Sequence, residues 1–189
     1  VENIFSFEET GKESRERWQC GAEMMGSSNP SADVELVMLA QEVLVKLGIE
    51  GARLYLSHAG LIRSLVRELG LDPIEQSHIF NQIMDGNASE IMRTMETRNP
   101  KLKDSLSLLF DLKGSSPGFI QNVKATLTRD FPRLEASADD FLTIAQLLSD
   151  MGCNYQVDMA LGKGFEYYTG VIFRFQLGNQ KLGGGGRYD

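Results

Sequence analysis

Two groups of residues in this chain have the types and spacing to hold a small polar ligand. The first is Lys163-Gly164-Phe165-Glu166-Tyr167-Tyr168-Thr169-Gly170-Val171-Ile172-Phe173, followed after a short turn by Gly183-Gly184-Gly185-Gly186-Arg187-Tyr188-Asp189. Alternation from Tyr167 to Phe175 predicts a strand with Tyr168, Gly170, Ile172 and Arg174 on one face. Tyr167, Thr169, Val171, Phe173 and Phe175 fall on the other. A tyrosine beside a glycine on a sheet face makes a floor on which a ligand can lie. The glycine run calls for positive φ or very close backbone approach at several positions in a row, which a plain hairpin does not require. Spacing alone leaves two readings equally open, a ligand floor and a flexible hairpin tip.

The second group is Arg15-Glu16-Arg17-Trp18-Gln19-Cys20-Gly21-Ala22-Glu23. On a strand, Gln19, Gly21 and Glu23 share one face while Cys20, Ala22 and Met24 share the other. An amide and a carboxylate then flank a gap about 13 Å end to end, at roughly 3.3 Å per residue. Glutamate suits an ammonium or an imidazole N–H, and glutamine can donate and accept at one ligand, which is how a pocket recognises an amino acid. Taken alone, a half-solvated sheet face explains the same pattern better.

Other residues invite plainer readings. His58 follows an apolar strand and precedes Ala59-Gly60, which suits a helix-start or core histidine, and His78 is expected to be solvated. The eight methionines are scattered through predicted elements as core filler. Glycines 183 to 186 are no phosphate loop, because no Lys-Ser or Lys-Thr follows and no helix starts there. A Walker nucleotide site is excluded.

Composition narrows the class. With 189 residues, 42% of them hydrophobic, the chain can bury one substantial core, or a core and a smaller lobe. A net charge of -7 argues against a general affinity for nucleic acid or anionic membranes, leaving only a local basic patch. Cys20 and Cys153 have neither a metal spacing nor a disulfide framework, and their apolar neighbours predict reduced, buried thiols in a cytoplasmic protein. No apolar run approaches the roughly 18 residues of a membrane span, and the start lacks a signal-peptide pattern. Val1 is not an initiator and Asp189 directly follows a motif, so the chain is expected to be part of a larger protein.

The elements that must carry these residues can be read from periodicity. Residues 3 to 8 and 17 to 26 alternate as strands around a polar turn. Asp33 to Leu47 has helical spacing and ends at Gly48, and a strand is expected over Arg53 to Ser57. From Gly60 to about Arg133 come short amphipathic helices: Leu61 to Leu69, Ile74 to Met84, Ser89 to Thr97, Leu102 to Leu112 and Phe119 to Leu127. Ser137-Ala138-Asp139-Asp140 resembles a capping box opening a helix that runs to Met151 and stops at Gly152. Tyr155 to Leu161 alternates as a strand, and the tyrosine strand then returns to the first sheet. This order predicts an α+β fold with a mainly antiparallel sheet, built from 1–58 and 134–189 with a helical insertion at 59–133.

Taken together, the motifs resemble the class II aminoacyl-tRNA synthetases in their histidyl form. Glu16-Arg17-Trp18-Gln19 with Glu23 is similar to the second class II motif, and Lys163 to Phe173 with Gly184 to Asp189 is similar to the histidine-specific motifs. The resemblance covers nearly the whole chain, including Ala32-Asp33-Val34-Glu35 and the helical insert. Two groups share the pattern: histidyl-tRNA synthetases, and the synthetase-like regulatory subunit of ATP phosphoribosyltransferase, which serves histidine biosynthesis. The resemblance implies histidine contacts from Gln19, Glu23, Lys163, Tyr167, Tyr168, Gly184, Gly185 and Tyr188. Within that set, Glu23 and Tyr168 would meet the imidazole and Gln19 the α-amino group.

Departures favour the second group. A synthetase would carry arginine where Ser6 stands, to grip the ATP α-phosphate, and loss of such a contact can cost on the order of 10² to 10³ in rate. It would also carry arginine where Lys163 stands, and lysine keeps the charge but loses the bidentate fork. The expectation is therefore a non-catalytic regulatory subunit that needs no cofactor. It would bind a short catalytic subunit and histidine, transmit histidine feedback, and form a homo-oligomer. A divergent histidyl-tRNA synthetase using ATP and magnesium is the alternative.

Overall fold

The computed structural model describes residues 1–5, 16–84, 87, 103–104, 107, 113–161 and 167–188. Two short strands come first: β1 (Glu2–Phe5) and β2 (Glu16–Gln19) form an antiparallel ribbon with Glu2 opposite Gln19 and Phe5 opposite Glu16. Helix α1 (Pro30–Lys46) follows, then strand β3 (Arg53–His58) and helices α2 (Ala59–Arg67) and α3 (Pro73–Met84). Helix α4 (Pro117–Asp130), a 3₁₀ turn (Pro132–Leu134) and helix α5 (Glu135–Asp150) lead to strands β4 (Tyr155–Val157), β5 (Val171–Leu177) and β6 (Gln180–Gly186).

The main sheet has the order β4-β3-β5-β6, with β3 and β4 parallel and the other two pairs antiparallel. Among the described residues, five helices and mixed sheets make the α+β arrangement that periodicity predicts. The ribbon of β1 and β2 is a separate sheet, so the late strands do not return to the first ones as expected.

Local chemistry sets the boundaries. The Asn29 side chain caps α1 by accepting from the Ser31 amide at 3.0 Å, and Pro30 occupies the first turn, where a missing N–H costs nothing. This starts α1 three residues before the expected Asp33. Gly48, Gly70 and Gly152 end helices with φ of 72°, 65° and 74°, as their positions predict. The expected capping box at Ser137 does not form, because the 3₁₀ turn feeds directly into α5 and the helix starts at Glu135 with no side-chain cap. Asp140 is thereby released for another partner. Strand β4 ends at Val157 rather than Leu161, and β5 begins at Val171 rather than Tyr167.

One buried apolar cluster joins α1, the sheet and helices α2 to α5. Leu56 on β3, Leu65 on α2, Met84 on α3, Leu127 on α4 and Ile144 on α5 have no solvent exposure. Opposite Leu54 and Leu56, β5 supplies Phe175 and Phe173, whose rings meet edge to face at 6.1 Å. The helix expected over Ser89 to Thr97 lies outside the described residues, as does nearly all of the one over Leu102 to Leu112.

The cysteines divide. Cys153 is buried, and its thiol donates to Gln41 Oε1 at 3.0 Å, with burial pushing the thiol pKa up. Cys20 is exposed, contrary to expectation, because its apolar neighbours Trp18, Met24 and Met25 are themselves exposed and no core forms around them. Among the described residues no helix is long and apolar enough to cross a membrane.

Candidate functional site

Pairing of β5 with β6 determines which polar side chains meet. Tyr167 and Tyr168 lie in the turn before β5, and Tyr188 lies just past the end of β6. The Tyr167 hydroxyl donates to the Tyr168 hydroxyl at 2.9 Å, their ring centroids 4.3 Å apart. The Tyr188 ring stands edge-on to Tyr167 at 6.4 Å, and the Glu23 carboxylate lies near enough to its hydroxyl to raise the phenol pKa. Glu23 is therefore brought to the tyrosines from a segment more than 140 residues away, and its charge also reaches Tyr168.

The glycines work differently from the sequence expectation. None of Gly183 to Gly186 has positive φ, and all four lie within β6; the turn is at Gly178, with φ of 56°. Close approach is real at two of them, but the neighbouring strand accounts for it. A Cβ on Gly186 would sit 2.6 Å from the Val171 carbonyl oxygen and 2.9 Å from Tyr168 Cγ. Glycine there lets the Tyr168 ring lie flat against the strand, leaving it 7% exposed. A Cβ on Gly185 would sit 3.0 Å from the Phe173 ring, on the other face of the sheet. Gly184, opposite Arg174, shares its face with Gly186 by alternation.

Gln19 is not drawn in. It ends β2 opposite Glu2, at the start of β1, so no partner strand remains to extend the ladder toward Glu23. Residues 20–25 have no regular structure, and the flat face expected for Gln19, Gly21 and Glu23 is not formed. Among the described residues no hydrogen bond or ring contact joins Gln19 to the tyrosines. Lys163 and Ser6 lie outside the described residues.

Electrostatics make this an acceptor site. Burial pushes the Tyr168 phenol far above its ordinary 10, and the negative charge of Glu23 adds to the shift. Tyr188 is raised chiefly by the neighbouring Glu23 carboxylate. Both phenols therefore stay protonated at neutral pH and cannot act as bases. A carboxylate flanked by neutral hydroxyls suits a ligand that donates N–H bonds, such as an ammonium or an imidazole.

Two further polar pairs frame the cluster, and sequence reasoning gave neither a role. His58 caps α2 through Nδ1, which accepts from the Leu61 amide at 3.0 Å, while Nε2 lies 2.9 Å from Asp140 Oδ2. This matches the plain reading of His58 as a helix-start and core residue, and His78 is exposed as expected. The other pair is Arg187 with Asp33, joined by Nη2 to Oδ2 at 2.7 Å. Partners 82 and 154 residues apart leave no local signal in the sequence. Between the pairs runs an open groove of about 240 Å³, lined by His58, Ser137, Asp140, Thr169, Gly170 and Arg187 among others. Among the described residues, no three or more His, Cys, Asp or Glu side chains are grouped to hold a metal ion.

The family model for histidyl-tRNA synthetase matches residues 4–189. A relative from Dehalococcoides mccartyi, named ATP phosphoribosyltransferase regulatory subunit, is 46% identical over 99% of this chain and 45% of its own length. A histidine–tRNA ligase from Archaeoglobus fulgidus is 32% identical, again over 99% of this chain and 45% of its own length. This chain thus spans less than half the length of the curated relatives it matches.

Among solved structures, one from Bacillus halodurans is described as an ATP phosphoribosyltransferase regulatory subunit/histidyl-tRNA synthetase. It superposes with a TM-score of 0.76 at 20% identity, over 87% of this chain and 44% of that one. An ATP phosphoribosyl transferase (HisG:HisZ) complex from Thermotoga maritima gives 0.60 at 18% identity, over 86% and 57%. At these identities the likeness is one of fold, the histidyl-tRNA synthetase-like class II fold. With the fold, the matched residues and the named relatives in agreement, this chain belongs to the histidyl-tRNA synthetase family.

Proposed function

We propose that this chain is the synthetase-like portion of a regulatory subunit of ATP phosphoribosyltransferase, and that its tyrosine cluster takes free histidine without activating it. The observation that carries this reading is the grouping of Tyr167 and Tyr168, joined by a hydrogen bond, with the Tyr188 ring edge-on to Tyr167 and the Glu23 carboxylate beside Tyr188, which offers an acceptor for the imidazole N–H. Tyr167, Tyr168, Glu23 and Tyr188 serve as the contacts, with Gln19, Lys163, Gly184 and Gly185 kept as further candidates from the motifs.

The nucleotide side of a synthetase site is where the support for catalysis weakens. Ser6 stands where the family's arginine would meet the α-phosphate, and Lys163 replaces a second arginine. Arg187, next to the cluster, does not substitute for them, since its guanidinium is engaged by Asp33 and by the carbonyls of Ser27 and Asn29. No cofactor is required by this reading.

The partner is a short catalytic phosphoribosyltransferase subunit, by analogy with the assembly named for the Thermotoga protein and with the name of the 46% identical relative. The subunit is cytoplasmic and homo-oligomeric, with 1–58 and 134–189 as the synthetase-like core and 59–133 as a helical insertion. Reconstitution tests the proposal. Adding the full-length protein to a short catalytic subunit should raise phosphoribosyl-ATP formation, and histidine should suppress it. A catalytic subunit indifferent to the protein, with or without histidine, refutes the regulatory role.

A further inference from the structure

For Glu23, Tyr167, Tyr168 and Tyr188 to face one another, segments from both ends of the chain must be held in register, and Arg187 contacts Ser27, Asn29 and Asp33 on one side and Thr169 and Gly170 on the other. Its Nε donates to both Asp33 carboxylate oxygens at 3.1 and 3.2 Å, and Nη2 reaches Oδ2 at 2.7 Å. Nη1 donates to the Ser27 carbonyl at 3.1 Å and Nη2 to the Asn29 carbonyl at 3.2 Å. The Arg187 carbonyl oxygen accepts from the amides of Thr169 and Gly170 at 2.8 and 3.3 Å. The Thr169 hydroxyl approaches the same oxygen at 3.3 Å.

The alkyl stem packs equally closely. A Cβ on Gly170 would sit 2.9 Å from Arg187 Cδ, so only glycine admits the stem there. Asp33 is itself 8% exposed, which makes this a carboxylate held by a planar fork of donors inside the protein. Residues 20–25, which carry Glu23, have no ladder of their own. The grip on Ser27 and Asn29 is thus the nearest fixed point behind Glu23.

We propose that Arg187 is a positioning residue that sets the spacing between Glu23 and the three tyrosines, by clamping residues 27–29 and α1 with its side chain and residues 169–170 with its backbone. The clamp rests on the reading of that cluster as a ligand site. A guanidinium can bind one carboxylate and two carbonyls at once; an ammonium on a flexible stem cannot hold the same three in plane.

The test uses full-length R187M and R187K, with I144V as a control that trims the core on α5. Histidine affinity is measured by calorimetry well below the unfolding temperature, and the Tyr188 phenol is titrated by NMR without ligand. In R187M the dissociation constant for histidine should rise about tenfold or more, with R187K recovering part of it, because a loosened site loses affinity. I144V should lower the unfolding temperature while leaving affinity within about twofold of wild type.

The phenol separates positioning from direct charge. Removing a nearby cation by itself would raise the Tyr188 pKa. Losing the Glu23 contact would lower it toward 10, and that fall is the expected result. If Tyr188 titrates unchanged or higher in both Arg187 variants, the clamp is refuted. If it falls while wild type binds no histidine, the clamp stands and the histidine reading fails instead.

Discussion

His58 and Asp140 form a part-buried hydrogen bond in which the tautomer is fixed by the other side of the ring. Because Nδ1 accepts from the Leu61 amide at 3.0 Å, the ring proton sits on Nε2 and is donated to Asp140 Oδ2 at 2.9 Å. His58 is 3% exposed and its ring lies 5.6 Å from Phe141. Removing the acceptor strands a buried N–H. D140A should therefore destabilise the fold by about 1–3 kcal/mol, whereas D140N, which keeps a carbonyl oxygen, should cost under about 1 kcal/mol. Urea unfolding of both variants checks this, and equal losses would contradict the assignment.

Gly186 and Gly183 offer a paired test within one strand. A methyl on Gly186 meets backbone at 2.6 Å and the Tyr168 ring at 2.9 Å, while one on Gly183 meets nothing within 4 Å. G186A should cost about 1–3 kcal/mol through overpacking and disturb Tyr168. G183A should stay within about 0.5 kcal/mol of wild type. Thermal unfolding with tyrosine fluorescence distinguishes the two.

Asp33 gives stability a defined pH dependence. Burial pushes its carboxyl above the ordinary 3.8, and the Arg187 guanidinium pulls it back down. A raised pKa means the folded state binds the proton more tightly than the unfolded state. This contribution is full below 3.8 and is lost as pH rises through the folded value. R187M removes the opposing pull and raises the carboxyl further, so ionised Asp33 becomes costlier. The stability gap between wild type and R187M should widen from about pH 4 to about pH 7. Urea titrations at both ends measure it, and a gap that narrows with pH would contradict the pairing.

The two thiols should differ sharply in reactivity. Cys20 is exposed, while Cys153 is buried with its thiol pKa raised. In native protein an aromatic disulfide reagent should modify one thiol quickly and the second only on unfolding, because the thiolate is the reacting form. Rapid modification of both would mean that the Cys153 contact with Gln41 is not kept in solution.

Much of the fold was legible because its signals are local. Helical spacing with Gly48, Gly70 and Gly152 as stops located α1, α2 and α5 to within a few residues, and His58 read correctly as a capping and core residue. The errors arose where distant partners decide the outcome. Tyr168 and Phe173, not a ligand or a turn, explain the closeness at Gly186 and Gly185, and only the β5–β6 register reveals it. Strand β2 stops at Gln19 because β1 starts opposite it, so alternation alone overextended that strand. Arg187 was visible as a motif letter, but its role depends on Asp33, which adjoins it only after folding.

Isotope exchange between pyrophosphate and ATP, with histidine and the full-length protein, tests the central claim most directly. A site that holds histidine through Glu23 and the tyrosines, with Ser6 and Lys163 in place of two arginines, should give no histidine-dependent exchange above background. Robust exchange that requires histidine would mean the chain activates its amino acid, and the regulatory account would be wrong.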